Sequence, residues 1–310
     1  MSIFHTTDNL PEFRKPVITI GTFDGVHQGH KTILAKLVEY AQQVNGESIV
    51  ITFEPHPRKL LFPEQSLRLL TPLKEKLQFI SETGIKHIVV APFTKAFSQL
   101  SAEDYVAHFL VKNFKPERIV IGYDHHFGHD RTGNIHMLQQ SENEFGYKVI
   151  EIPAQLIDEA AVSSTKIRNA LQDGNMEDAA HMLGRHYSLK GKVMEGKKLG
   201  RTIGYPTANI EPDDFDQLIP KNGVYAVKVR WKEQLFGGML NIGFNPTVTD
   251  ERKLLIEVNI FNFNESVYGQ TLELIFIKWL RPEVKYNSLD ALTLQLTKDK
   301  EDTLHALANC

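Results

Sequence analysis

The feature that most constrains this chain is a change of rhythm near residue 184. Before it, five short β-branched runs recur: VITI (17–20), SIVITF (48–53), HIVVAPF (87–93), RIVIGY (118–123) and YKVIEIP (147–153). Between them lie segments with a helical period. KTILAKLVEYAQQ carries Ile33, Leu34, Leu37, Val38 and Ala41 on one face, and KEKLQFISET (74–83) reads as a second helix. SAEDYVAHFLVKNF (101–114) opens with Ser101, an N-cap residue. Apolar runs alternating with helices predict a parallel sheet covered on both faces. SSTKIRNALQ and NMEDAAHMLGR (175–185) read as two short helices joined by a DGN turn. After Gly184 the strand-like runs crowd together without helices: SLKGKVM, GVYAVKVRW, FGGMLNIG, LLIEVNIF and TLELIFIKWL. This spacing predicts a small antiparallel barrel. The tail from Ser288 to Asn309 is expected to form one or two helices closing it. The domain boundary is expected near residues 184–187.

A chain of 310 residues has material for one large or two medium domains. Its 35 basic and 38 acidic residues leave a net charge of −3, which gives no basic footprint for nucleic acid. The lone cysteine, Cys310, excludes an intramolecular disulfide and points to the cytosol. The start, MSIFHTTDNLPEFRK, lacks the apolar core of a signal peptide. No apolar run approaches the roughly 18 residues of a membrane span, so no membrane partner is expected.

GTFDGVHQGH (21–30) lies where a strand gives way to a helix. Its glycines allow a tight turn and close approach to a ligand. Amides at a helix start favour an anion, and ligands of open α/β sheets bind at the carboxyl ends of strands. Two histidines there would place movable positive charge beside phosphates, which suits nucleotidyl transfer. A catalytic zinc usually takes three protein ligands, and two histidines on this turn do not supply them.

The ten residues resemble the HxGH signature of the nucleotidylyltransferase superfamily, in the form typical of bacterial bifunctional riboflavin kinase/FAD synthetases. TFEPHPR (52–58), IGYDHHFGHDRTGN (121–134), VSSTKIRNALQDGNMEDAAHMLGRHY (162–187), GRTIGYPTANI (200–210), NIGFNPTV (241–248) and LLIEVNIFNFN (254–264) follow in family order. The resemblance implies an α/β nucleotidylyltransferase domain with a Rossmann-like parallel sheet over residues 1–185. A riboflavin kinase β-barrel with a C-terminal helix would occupy 186–310. It implies that His27 and His30 bind ATP phosphates and stabilise the transition state, that Gly21 and Asp24 shape the loop, and that Ser164, Thr165 and Arg168 close over phosphate. His56, Asp124 and Phe127 would line the flavin pocket. The cluster His125, His126 and His129 reads as a polar loop rather than a metal site. Where relatives usually carry an acidic residue, this chain has Asn134.

For the second half the resemblance implies that Gly200 and Arg201 wrap the nucleotide and that Thr207 and Asn209 hold Mg²⁺, hard oxygen ligands for a hard cation. Glu257 would be the catalytic carboxylate, and Arg281 would sit on a loop near flavin or ADP phosphates. Relatives usually read ExHxxDF where this chain has Glu257, Asn259 and Asn262. Two charges that tune Glu257 are thereby lost while hydrogen bonding survives. The expected substrates are ATP, riboflavin and FMN, with Mg²⁺ as cofactor, in a monomer or weak homo-oligomer.

Overall fold

The computed structural model of the protein describes residues 1–123, 125–153, 162–196, 200, 203–244 and 254–309. The chain forms two compact units, Met1–Ser164 and Thr165–Cys310.

The first unit holds a six-stranded sheet in the order β1-β4-β3-β2-β5-β6, with every neighbour parallel. The strands are β1 (Ser2–Phe4), β2 (Pro16–Ile20), β3 (Glu47–Glu54), β4 (His87–Pro92), β5 (Arg118–Gly122) and β6 (Lys148–Ile152). Five match the β-branched runs. Strand β1 was not apparent in the sequence, because three residues at a sheet edge carry no period. Alternate residues feed opposite faces. Ile18, Ile20, Ile49, Ile51, Ile119 and Ile121 belong to one apolar cluster, and Val17, Val50, Ile88, Val90 and Val120 to the other. Helices Gln28–Gln43 and Leu73–Ser81 bury Leu34, Leu37, Leu77 and Ile80 in the second cluster. The segment at 102–114 is helical and capped by Ser101, whose hydroxyl accepts from Asp104 N–H at 3.0 Å. Its middle, Tyr105–Val111, has the wider π-helical turn, an unforeseen irregularity.

The second unit is a closed barrel in the order β10-β11-β8-β7-β12-β9, antiparallel throughout. Its strands are β7 (Ser188–Met194), β8 (Ala208–Pro212), β9 (Gly223–Trp231), β10 (Gln234–Phe244), β11 (Leu254–Ile260) and β12 (Thr271–Arg281). The sequence showed all but β8, which is hidden in PTANI and buries only Ile210. One helix, Leu289–Ala308, packs on the barrel behind the N-cap Ser288. Helices Ser164–Asp173 and Met176–Leu183 also join the barrel. Lys221 N–H donates to Leu171 O at 3.0 Å, and Lys221 Nζ to Asp173 O at 3.1 Å. The units therefore divide ahead of the boundary expected at 185/186.

Candidate active sites

In the first unit, β2 and β5 are neighbours from which the chain winds in opposite directions. The crevice beyond their carboxyl ends is the switch point of the sheet, where ligands of such folds bind. GTFDGVHQGH leaves β2 there. Gly21 N–H donates to Ile51 O at 3.0 Å. Phe23, Gly25 and Val26 then take φ values of 50°, 89° and 39°. A left-handed backbone at Phe and Val is strained by about 1–3 kcal/mol each and persists only where the surroundings enforce it. Asp24 supplies much of that enforcement. Its carboxylate, 2% exposed, accepts Leu70 N–H at 3.0 and 3.2 Å and Thr71 N–H at 3.1 Å. Ser164 Oγ donates to Asp24 O at 2.9 Å.

His27 is the N-cap of helix Gln28–Gln43, with Nδ1 accepting from His30 N–H at 3.3 Å. An accepting Nδ1 leaves the proton of the neutral ring on Nε2. The His30 ring stacks on His27, with centroids 3.6 Å apart, and meets the edge of Phe23 at 5.1 Å. Burial holds the His30 pKa well below its ordinary value, with His27 and then Lys76 adding to the depression. His30 thus rests neutral at neutral pH before any anion arrives. An anion placed beside the ring would favour its protonation.

His56 repeats the N-cap device at the end of β3, where its buried Nδ1 accepts from Arg58 N–H at 3.2 Å. Phe127, beyond β5, is buried and stacks on Tyr105 with centroids 5.0 Å apart, so it belongs to the core wall. Asp124 lies outside the described residues, as does Arg201. Asn134 caps helix Ile135–Gln140 by accepting from Met137 N–H at 3.2 Å. Asn and Asp cap equally well, so this role needs no acid. Thr165 is exposed and Arg168 half-buried in helix Ser164–Asp173. Among the described residues no three histidine, cysteine, aspartate or glutamate side chains converge as for a metal.

In the barrel, Glu257 on β11 stands opposite Asn241 on β10 and opposite Asn209 on β8. Directly paired residues share a face, so the three side chains form one row. Burial, with Glu283 second, raises the Glu257 pKa and makes it a stronger base than an ordinary carboxylate. Asn241 Nδ2 donates to Glu283 Oε1 at 3.4 Å. Thr207 is exposed just before β8. The backbone at Gly196 passes so close to the Asn209 amide that a Cβ would collide with it. Gly200 likewise lies against Tyr205 O and accepts Tyr205 N–H at 2.8 Å.

Asn259 is 7% exposed, and its Nδ2 donates to Pro206 O at 2.6 Å. Asn262 sits in the turn after β11 with φ of 53°, a conformation that Asn tolerates. Arg281 is the last residue of β12 and not on a loop. Its Nε and terminal nitrogen grip Asp299 at 2.7 and 2.6 Å, which pins the C-terminal helix to the barrel. Sequence reasoning missed Asn241, Glu283 and Lys76. The first two lie in NIGFNP and LRPE, and only strand register shows what they face.

A histidine pair at the switch point of a parallel sheet, joined to a closed barrel carrying a basic carboxylate, defines a two-part nucleotide-dependent transferase. A family profile described as FAD synthetase matches residues 10–166, and one described as riboflavin kinase matches 183–307. The chain belongs to the bifunctional riboflavin kinase/FMN adenylyltransferase family. The Listeria monocytogenes member is 38% identical over 300 residues, covering 96% of this chain and 94% of that protein. The Escherichia coli member is 35% identical over 285 residues, covering 92% and 90%. A crystal structure from Streptococcus pneumoniae, described as a macrolide-efflux protein, is 31% identical, with a TM-score of 0.87 over 97% of both chains. That description is of that protein. Among the described residues here, no helix is long and apolar enough to cross a membrane.

Proposed function

We propose that this chain makes FAD from riboflavin in two steps. The barrel transfers the γ-phosphoryl group of ATP to riboflavin, giving FMN and ADP. The parallel-sheet unit then transfers AMP from a second ATP to FMN, giving FAD and pyrophosphate. The observation that carries this is the pairing of two unlike sites on one chain: the stacked His27–His30 pair at a helix start, and the raised-pKa Glu257 in its Asn241–Asn209 row.

In AMP transfer the FMN phosphate attacks the α-phosphorus of ATP, and charge grows on the oxygen that leaves with pyrophosphate. His27 offers Nε2–H toward an anion, and the helix start adds its amides. His30 adds charge once an anion draws a proton to it. Gly21 and Asp24 hold the loop in its strained shape, which fixes the donors before substrate arrives. The Ser164 hydroxyl holds the loop backbone at Asp24, and Thr165 and Arg168 remain candidate phosphate contacts. His56, Asp124 and Phe127 remain the candidates for the flavin side. The functional unit for this step extends through residue 185.

In phosphoryl transfer Glu257 accepts the proton of the riboflavin 5′-hydroxyl as that oxygen attacks the γ-phosphorus. Its raised pKa suits this task. Thr207 and Asn209 are oxygen donors beside it and fit Mg²⁺, which would neutralise phosphate charge when bound. Gly200 and Arg201 belong to the loop proposed to wrap the nucleotide. Arg281 fits this reading only as a support, since its guanidinium is committed to Asp299. A cytoplasmic setting accords with the lone cysteine.

Incubation with riboflavin, ATP and Mg²⁺, resolved by chromatography, is expected to yield FMN and then FAD. Glu257→Gln should stop FMN formation alone. His27→Ala with His30→Ala should stop FAD formation alone. Absence of both products from the unaltered protein would refute the reading, and loss of both steps from either lesion would refute the division of labour.

A further inference from the structure

Lys76, on helix Leu73–Ser81, is 5% exposed. A buried ammonium is costly unless it is paired or fully hydrogen-bonded. Lys76 makes no ion pair among the described residues. Its Nζ reaches Thr22 O at 3.4 Å and Phe53 O at 3.5 Å. Thr22 belongs to the GTFDG loop that leaves β2. Phe53 lies near the end of β3, where the FEPHP segment begins. One carbonyl belongs to the loop that leaves β2, on the proposed nucleotide side, and the other to the penultimate residue of the neighbouring strand β3, on the proposed flavin side.

We propose that Lys76 is a positioning residue for adenylyl transfer: its ammonium, beside His30, braces the nucleotide loop that leaves β2 against the end of β3, from which the proposed flavin segment leaves. The inference rests on the adenylyl-transfer reading of GTFDGVHQGH. Two details support it. The charged groups facing Lys76 are Asp24 and His30 of the β2 loop and Glu54 at the end of β3, with His27 stacked on His30. Asp24 already gives its carboxylate to Leu70 and Thr71 amides, so it holds the loop without neutralising Lys76 by contact. One ammonium thus faces two carboxylates and a neutral imidazole, so its part is to hold the two backbone segments together rather than to leave the site positively charged. Resting on two carbonyls, the lysine needs no rearrangement when phosphates arrive.

The test compares the unaltered protein with Lys76→Met and Lys76→Arg. FAD formation from FMN and ATP should fall at least tenfold in Lys76→Met, while FMN formation from riboflavin stays within twofold. The decisive readout is the His30 imidazole titration followed by NMR. Removing the neighbouring cation should move it upward in Lys76→Met, and Lys76→Arg should keep it depressed and restore most of the FAD activity. An unmoved His30 titration or an unchanged FAD rate in Lys76→Met overturns the inference. So does loss of the native fold in Lys76→Met, because the lysine would then be a folding element. If the unaltered protein itself makes no FAD from FMN, it is the adenylyl-transfer reading that fails.

Discussion

Asn259 stands where the family resemblance leads one to expect a histidine, and its replacement by alanine tests how the barrel site is assembled. Strand β8 pairs with β11 at two positions, Ala208 with Val258 and Asn209 with Glu257. The Asn259 amide adds a third tie, to the carbonyl just before Thr207. It therefore fixes where the proposed Mg²⁺ ligands begin. A neutral hydrogen bond contributes about 0.5–1.5 kcal/mol net. Asn259→Ala removes the whole amide, and Pro206 is exposed enough for its carbonyl to regain water. The stability loss should therefore be about 1 kcal/mol. Activity should fall further, because a displacement of about 1 Å in a reacting assembly costs on the order of 10²-fold.

The expected result is thus a split. FMN formation from riboflavin drops roughly ten- to a hundredfold, FAD formation from supplied FMN persists, and the barrel's unfolding midpoint shifts only slightly. Asn259→His keeps an N–H donor and should retain most of the kinase activity. Asn259→Asp puts a carboxylate against a carbonyl and near Glu257, and should behave worse than alanine. If Asn259→Ala forms FMN at the unaltered rate, the side-chain tie does not position the site. If it also loses FAD formation, the damage is global.

Two further outcomes follow from the barrel. Glu257 is active as a base when deprotonated, so FMN formation should rise with pH through its pKa, above the usual carboxylate value of about 4.3. Glu283→Gln removes the like charge and should move this limb to lower pH, but only part of the way because burial is the larger cause; an unmoved limb in the pH–rate profile would exclude the coupling. Arg281→Met should destabilise the barrel by about 3–5 kcal/mol in chemical denaturation, since Asp299, 1% exposed, loses the guanidinium. Adding Asp299→Leu should recover most of that, and FAD formation from supplied FMN should survive in both.

The fold was legible where burial writes a period into the chain. Strands β2 to β5 are buried on both faces, so each appears as a β-branched run, and β6, half-buried at the sheet edge, keeps the same pattern in Val149, Ile150 and Ile152. Elements stabilised mainly by their partners left no such trace. Strand β1 is three residues completed by β4, and β8 is held between β7 and β11. The same holds for the sites. GTFDGVHQGH is a contiguous motif and announced itself. Its lock, Asp24 on the Leu70 and Thr71 amides, spans a gap that no spacing rule covers. Lys76 read as one more charge on an amphipathic helix, and nothing local distinguished it from exposed Lys74.

The three asparagines that depart from the family pattern show how much of a motif is charge and how much is shape. Asn134 caps a helix, a role in which Asp and Asn are equivalent. Asn262 occupies a left-handed turn that suits either residue. Asn259 donates a hydrogen bond, as a histidine ring would and a carboxylate would not. Each of the three positions thus has a geometric role in this chain that needs no charge. The electrostatic tuning of Glu257 does not depend on them, because burial and Glu283 already raise its pKa. Sensitivity is therefore expected at Glu257 itself, at the Pro206 tie, and at Glu283, where the pH profile can find it.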